Sequence, residues 1–162
     1  MINKTSLTAS ALTLAIVLAP AAVFAQQQPS GTSPIRNEDG TIQGGTSGGV
    51  TGRDVSASTY GYGTGTPTGT AVEGGGAATA VDGEASTSTE AKANERRAVQ
   101  RSVATAQTDD ERARSRTRTA VKANETVRSK TVSRYKAQGE KPVKEMTTTV
   151  VNADGTVTTR SK

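Results

Sequence analysis

The apolar positions of this chain divide it into two unlike parts. Leu7 to Leu18 runs almost free of charge, ends at Pro20, and is followed by Val23-Phe24-Ala25. All four leucines (7, 12, 14 and 18) and the one phenylalanine lie in this stretch. Lys4 stands ahead of it, and small residues occupy positions 23 and 25. A basic start, a short apolar middle, a helix breaker and small residues before a polar one read as a secretory signal peptide. It spans residues 1–25, with cleavage between Ala25 and Gln26. The competing reading is an uncleaved N-terminal anchor, since about 20 apolar residues span a bilayer. Thr8, Ser10, Thr13 and Pro20 speak against that.

Beyond residue 25 the periodicities are weak. Ala91, Ala98, Val99, Val103 and Ala106 fall roughly on one helical face, and Thr87 with Glu90 fits a capping box. A second start signal, Thr108-Asp-Asp-Glu111, leads into the basic run Arg112 to Lys122, an order that suits the helix dipole. Asp110 and Arg114 form an i, i+4 pair there. The spacing therefore predicts a transient helix over about 87–124. At the end of the chain, Met146 to Val151 and Thr156 to Thr159 flank Asn-Ala-Asp-Gly, which predicts a β-hairpin over 146–159. The same turn chemistry occurs at Asn37-Glu-Asp-Gly40. Both copies resemble the middle of an EF-hand loop. They lack an oxygen-bearing side chain at the first loop position, Ile35 or Val150, and the bidentate Glu at the twelfth, Thr46 or Ser161, so they are read as turns.

Composition changes the picture more than periodicity does. Processing leaves 137 residues with no Leu, Phe, Trp, Cys or His, and with 15 Ile and Val, about 11 per cent. Below roughly 20 per cent, disorder is the default. Ordering a residue costs about 1–2 kcal/mol of backbone entropy, and a buried Val returns roughly 1.5–3 kcal/mol. So few large apolar side chains predict a mostly intrinsically disordered chain. Thirteen glycines between Gly40 and Gly76 point the same way, to a flexible coil. No Gly is followed by Lys-Ser or Lys-Thr, and Gly61, Gly63 and Gly65 lack the dinucleotide spacing, so nucleotide binding is set aside.

Charge then divides the mature chain. Residues 26–90 carry a formal −5 and residues 91–162 a formal +9. The expected organisation is a signal peptide (1–25), a Gly/Thr/Ser-rich acidic disordered segment (26–90), a basic, partly helical segment (91–144) and a Thr/Val-rich hairpin tail (145–162). Lys92-Ala-Asn-Glu95 recurs as Lys122-Ala-Asn-Glu125, two copies where a solenoid needs about three. Asn124-Glu-Thr126 is a formal glycosylation acceptor.

The sharpest chemistry is Arg112-Ala-Arg114-Ser-Arg116-Thr-Arg118. An extended backbone would put its four guanidinium groups on one side, and a helix would split them across two. Guanidinium matches phosphate or carboxylate bidentately. The run continues through Lys122, Arg128, Lys130, Arg134 and Lys136, and on to Lys141 and Lys144, with Tyr135 the one aromatic nearby. The nine cations from Arg112 to Lys136 are candidates for electrostatic, sequence-blind binding of a polyanion: lipopolysaccharide, anionic lipid or nucleic acid. The plain alternative is a solvated charge run.

Without His or Cys, and with scattered carboxylates, the chain offers no catalytic constellation. We expect no enzyme, no metal site, no cofactor, no small-molecule substrate and no transmembrane segment after processing. The expected protein is exported to a Gram-negative periplasm or beyond. Its oligomeric state is left open by the sequence. The alternative function is a hydrophilin-like protective or structural envelope protein without a specific site. Intact-mass analysis of the exported protein should give a chain beginning at Gln26, and a mass retaining residues 1–25 would favour the anchor.

Overall fold

A computed structural model describes residues 26–28, 35–36, 40–123 and 126–162. The signal segment with Ala25, and the acceptor Asn124 with Glu125, lie outside the described residues.

The described chain is an all-β, antiparallel domain, and no helix occurs among the described residues. Its strands are β1 (Gln26–Gln28), β2 (Ile35–Arg36), β3 (Ile42–Thr51), β4 (Val55–Thr66), β5 (Gly69–Ala80), β6 (Glu84–Ala93), β7 (Arg97–Gln107), β8 (Glu111–Lys122), β9 (Thr126–Ala137), β10 (Val143–Asn152) and β11 (Val157–Ser161). From β3 onward the chain runs up and down through neighbouring strands. One sheet has the order β1-β3-β4-β5, with β2 also paired to β3, and the other runs β11-β10-β9-β8-β7-β6. The sheets stack face to face, with β3 against β9, β4 against β8 and β5 against β7. Among the described residues, strand β11 touches only β10, whereas β6 also lies against β5; both are exposed along their length.

These findings overturn the expectation of disorder and of a helix over 87–124. The β7 burial pattern alternates strictly: Ala98, Gln100, Ser102, Ala104 and Ala106 point inward. That is period 2, and the apparent helical face was an accident of abundant Ala and Val. Thr87, the supposed cap, sits within β6. Asn94 instead closes the β6–β7 turn, its side chain accepting from the backbone N–H of Arg96 (3.0 Å) and Arg97 (2.8 Å). Thr108 closes the β7–β8 turn in the same manner, accepting from the Glu111 N–H at 3.1 Å. The tail forms β10 and β11 as the last strands of a six-stranded sheet, and Gly155 takes a φ of 83° in their turn.

The interior explains how so few large apolar residues suffice. Two small apolar clusters lie at opposite ends of the sandwich. One joins Val50, Val55, Ala57, Ala104, Ala106, Ala113 and Tyr135, and the other Ile42, Ala98, Val121, Val127 and Val151. Between them runs a belt of hydroxyl groups. Thr46 Oγ1 bonds Ser129 Oγ and Thr131 Oγ1, each at 2.8 Å, and Thr59 Oγ1 bonds Ser115 Oγ and Thr117 Oγ1, each at 2.8 Å. Within the second sheet, Thr117 bonds Thr131 (2.6 Å) and Thr119 bonds Ser129 (2.7 Å). A hydroxyl both donates and accepts, so such a belt can satisfy itself without water. Each buried group thereby avoids the penalty of about 1–3 kcal/mol for an unpaired polar atom. Small side chains also surrender little rotamer entropy. Counting only large apolar residues missed both effects.

The belt requires the sheets to approach closely. Gly61 faces Thr119, Gln100 and Thr117, and Gly74 faces the Gln100 amide; a β-carbon at either would collide with these atoms. Gln100 is fully buried and donates to Ser102 Oγ. Gly48, Gly61, Gly63 and Gly74 therefore make room for the partner sheet, while Gly45 and Gly49 lie close against β4 of their own sheet.

One charged group clasps the sheets. Glu111, at the start of β8, accepts from the backbone N–H of Asp54 (2.9 Å) and Arg53 (3.4 Å) in the β3–β4 turn, and from the Tyr135 hydroxyl (2.7 Å). Burial works to raise its pKa. The Asp54 N–H, the Tyr135 hydroxyl, the Arg53 N–H and the Arg53 charge together outweigh that and hold it below its ordinary value of 4.5. Because folding lowers this pKa, the contribution is complete above pH 4.5 and is lost as pH falls through the lower, folded value. Glu111→Gln should destabilise the domain by about 1–3 kcal/mol at neutral pH. In thermal melts the gap between variant and parent should close as pH drops below 4.5; a gap that persists at low pH would detach the effect from this carboxylate.

A candidate anion-binding face

Strand β8 alternates completely: Glu111, Ala113, Ser115, Thr117 and Thr119 are buried, while Arg112, Arg114, Arg116 and Arg118 are exposed. The inward residues are chosen by the hydroxyl belt and the clasp, which leaves the arginines on the outer face of the six-stranded sheet. Lys122 ends the same strand on that face. On β9 the exposed positions are Arg128, Lys130, Arg134 and Lys136. All nine sequence-predicted cations therefore share one surface.

The register arranges them in rows across the sheet. Arg114, Arg134 and Lys144 are direct neighbours on β8, β9 and β10, and Arg101, Arg118 and Lys130 are direct neighbours on β7, β8 and β9. Arg112 stands opposite Lys136, and Arg97 opposite Lys122. Steps across strands are about 4.8 Å and steps along a strand about 6.8 Å for every second residue. Between the two triple rows lies Arg116, flanked by Val103 and Val132. Its pKa is pushed down by partial burial and by the charges of Arg101, Arg114 and Arg118. The guanidinium remains protonated, since it starts from above 12. Burial is the larger cause, and the three neighbouring guanidinium groups add to it.

Arg97 and Arg101 were missed as site residues because β7 was read as helix. Arg160 of β11 was missed as well; it ends the row that runs Lys130, Thr148, Arg160. Period-2 alternation through 97–107 was the signal that would have found the first two. Glu90, opposite Arg101, is the carboxylate at the β6 margin of the same row.

Tyr135 does not join this face. It is 3% exposed and turned inward to Glu111. Tyr60 and Tyr62 belong to β4 in the other sheet, where the Tyr62 hydroxyl donates to Gln43 Oε1 at 2.8 Å. The basic face thus has no aromatic side chain among the described residues. The described residues also hold no group of three or more His, Cys, Asp or Glu arranged to take a metal ion. Comparison with protein-family models, curated proteins and solved structures finds no match to this chain.

Like charges directly opposite on neighbouring strands destabilise a sheet by roughly 0.2–1 kcal/mol per pair. Arg118 faces a cation on each side, Arg101 and Lys130. Arg118→Thr should therefore raise the melting temperature at low salt by a few degrees. The gain should vanish near 1 M salt, where the screening length falls to about 3 Å. Calorimetry at the two salts checks this, and no gain at low salt would mean that the cations do not strain the sheet.

Proposed function

We propose that this is an exported, non-enzymatic protein whose six-stranded sheet presents a rigid cationic face to polyanions. The observation that carries the reading is the pair of three-cation rows, Arg114–Arg134–Lys144 and Arg101–Arg118–Lys130, held on either side of Arg116 by strand register. A fold that places like charges together at a cost in its own stability is best explained by a ligand that neutralises them. Binding releases counterions from the ligand, which supplies most of the affinity and makes it fall steeply with salt. With no aromatic on the face, binding has no base-stacking component and is blind to sequence. Export is proposed from the N-terminal segment, and a periplasmic or extracellular site would bring the face to anionic envelope surfaces.

The hydrophilin-like alternative rested on an unstructured backbone, and the ordered sheets remove that support. A structural envelope role is compatible with the same cationic face.

Equilibrium binding of short duplex DNA and of polyphosphate across a salt series tests the proposal. The logarithm of the binding constant should fall linearly with the logarithm of salt concentration. For the DNA, replacing Arg112, Arg114, Arg116 and Arg118 by Gln should reduce the slope by about 0.9 for each arginine that meets a phosphate. An unchanged slope would remove these residues from the site.

A further inference from the structure

The outer face of the six-stranded sheet carries more than charge. Val103, Arg116, Val132 and Met146 form one row across β7 to β10, and Ala120, Arg128 and Val150 form another across β8 to β10. These rows lie on either side of the Arg101–Arg118–Lys130 row. Rows that are apolar but for one arginine therefore lie on either side of an all-cationic row. Two depressions result. One of about 430 Å³ has Met146 and Val150 beside Arg128, Lys130, Arg160 and Lys162. The other, about 340 Å³, has Ala120 and Val132 beside Arg116, Arg118, Arg128 and Lys130. Each places carbon surface within a ring of cations.

We infer that the occupant of this face is a membrane surface of phosphate-bearing lipids, its phosphates on the cation rows and its uppermost acyl carbons against Val132, Met146 and Val150. This inference rests on the polyanion reading above and narrows it. Three observations favour a lipid over a nucleic acid. Tyr135, the one aromatic of the basic strands, is spent on the interior clasp, so bases have nothing to stack upon. The cations lie on the broad face of a sheet that spans roughly 24 Å across its six strands, the shape of a plate laid on a surface and not of a groove around a strand. A soluble polyphosphate or a duplex backbone has no use for the half-buried valines and Met146, whereas a headgroup with attached acyl chains meets both chemistries at once. Long Arg and Lys side chains suit that interface, keeping their charge at phosphate level while their stems cover apolar surface. Electrostatic attraction to anionic lipids grows with each basic residue brought near the surface.

The same phosphate-plus-acyl chemistry is offered by an ordinary anionic phospholipid and by a phosphorylated glycolipid of an outer membrane. The test therefore uses vesicles of phosphatidylcholine alone, the same vesicles with phosphatidylglycerol, and the same with lipopolysaccharide. Short duplex DNA and polyphosphate run beside them, all with the protein purified after export. The variant Val132→Thr/Met146→Thr keeps strand-forming character at both positions, and its melting temperature verifies that it folds.

Cosedimentation should show binding to one or both anionic vesicles and none to phosphatidylcholine alone. The double variant should bind anionic vesicles at least about tenfold more weakly, with polyphosphate and DNA binding unchanged. Which anionic vesicle binds more tightly assigns the headgroup. Anionic vesicles bound equally by parent and variant, or left unbound while DNA is held with a normal salt slope, would overturn the lipid inference and leave the polyanion reading standing. Failure to bind any of these anions would overturn both.

Discussion

Thr46 reaches from one sheet to Ser129 and Thr131 of the other, and Thr59 reaches to Ser115 and Thr117. Every other feature of the domain depends on this hydroxyl belt. Its side chains are short, so the sheets must stand close, and closeness in turn requires glycine at positions such as Gly61 and Gly74. The belt is also polar, so it stabilises only while every hydroxyl has a partner; a single gap would leave a buried group unpaired. Small apolar clusters seal each end, and the Glu111–Tyr135 clasp ties the β3–β4 turn to β8 and β9.

The belt and the basic face are two consequences of one alternation. A strand that points Ala, Ser and Thr inward at every second residue must point the intervening residues outward, and on β8 those are Arg112, Arg114, Arg116 and Arg118. Register then sets cation beside cation across strands, which no local preference would choose. The interior supports an exterior that repels itself. That exterior holds positive charge in rows at a spacing that a flexible chain would relax, and its neighbouring charges add to the effect of burial in lowering the pKa of Arg116.

Part of the site was legible before the fold. Spacing by two in Arg112 to Arg118 announces a single-sided array for an extended chain, and Lys130, Arg134 and Lys136 continue it. What misled was the inward half of the same pattern. Ser, Thr, Ala and Gly score as loop or spacer residues because isolated hydroxyls prefer water and glycine has much backbone freedom to lose. Ala91, Ala98, Val99, Val103 and Ala106 imitate a helical face since small residues are frequent enough to fit either period. Val99 and Val103 in fact lie on the opposite face of β7 from Ala98 and Ala106.

The sequence by itself determined the charge asymmetry, the absence of Cys and His, the absence of Leu, Phe and Trp after residue 25, and the turn chemistry at Asp154-Gly155. These are properties of residues taken singly or with near neighbours. Only the tertiary structure decided that the chain is ordered, that Tyr135 turns inward, and that Arg101 and Arg160 join rows begun by Arg118 and Lys130. The reason is physical. A hydroxyl's preference between water and the interior depends on whether a second hydroxyl waits there, and Thr46 meets Thr131 across 85 residues of chain. No local window contains that partner.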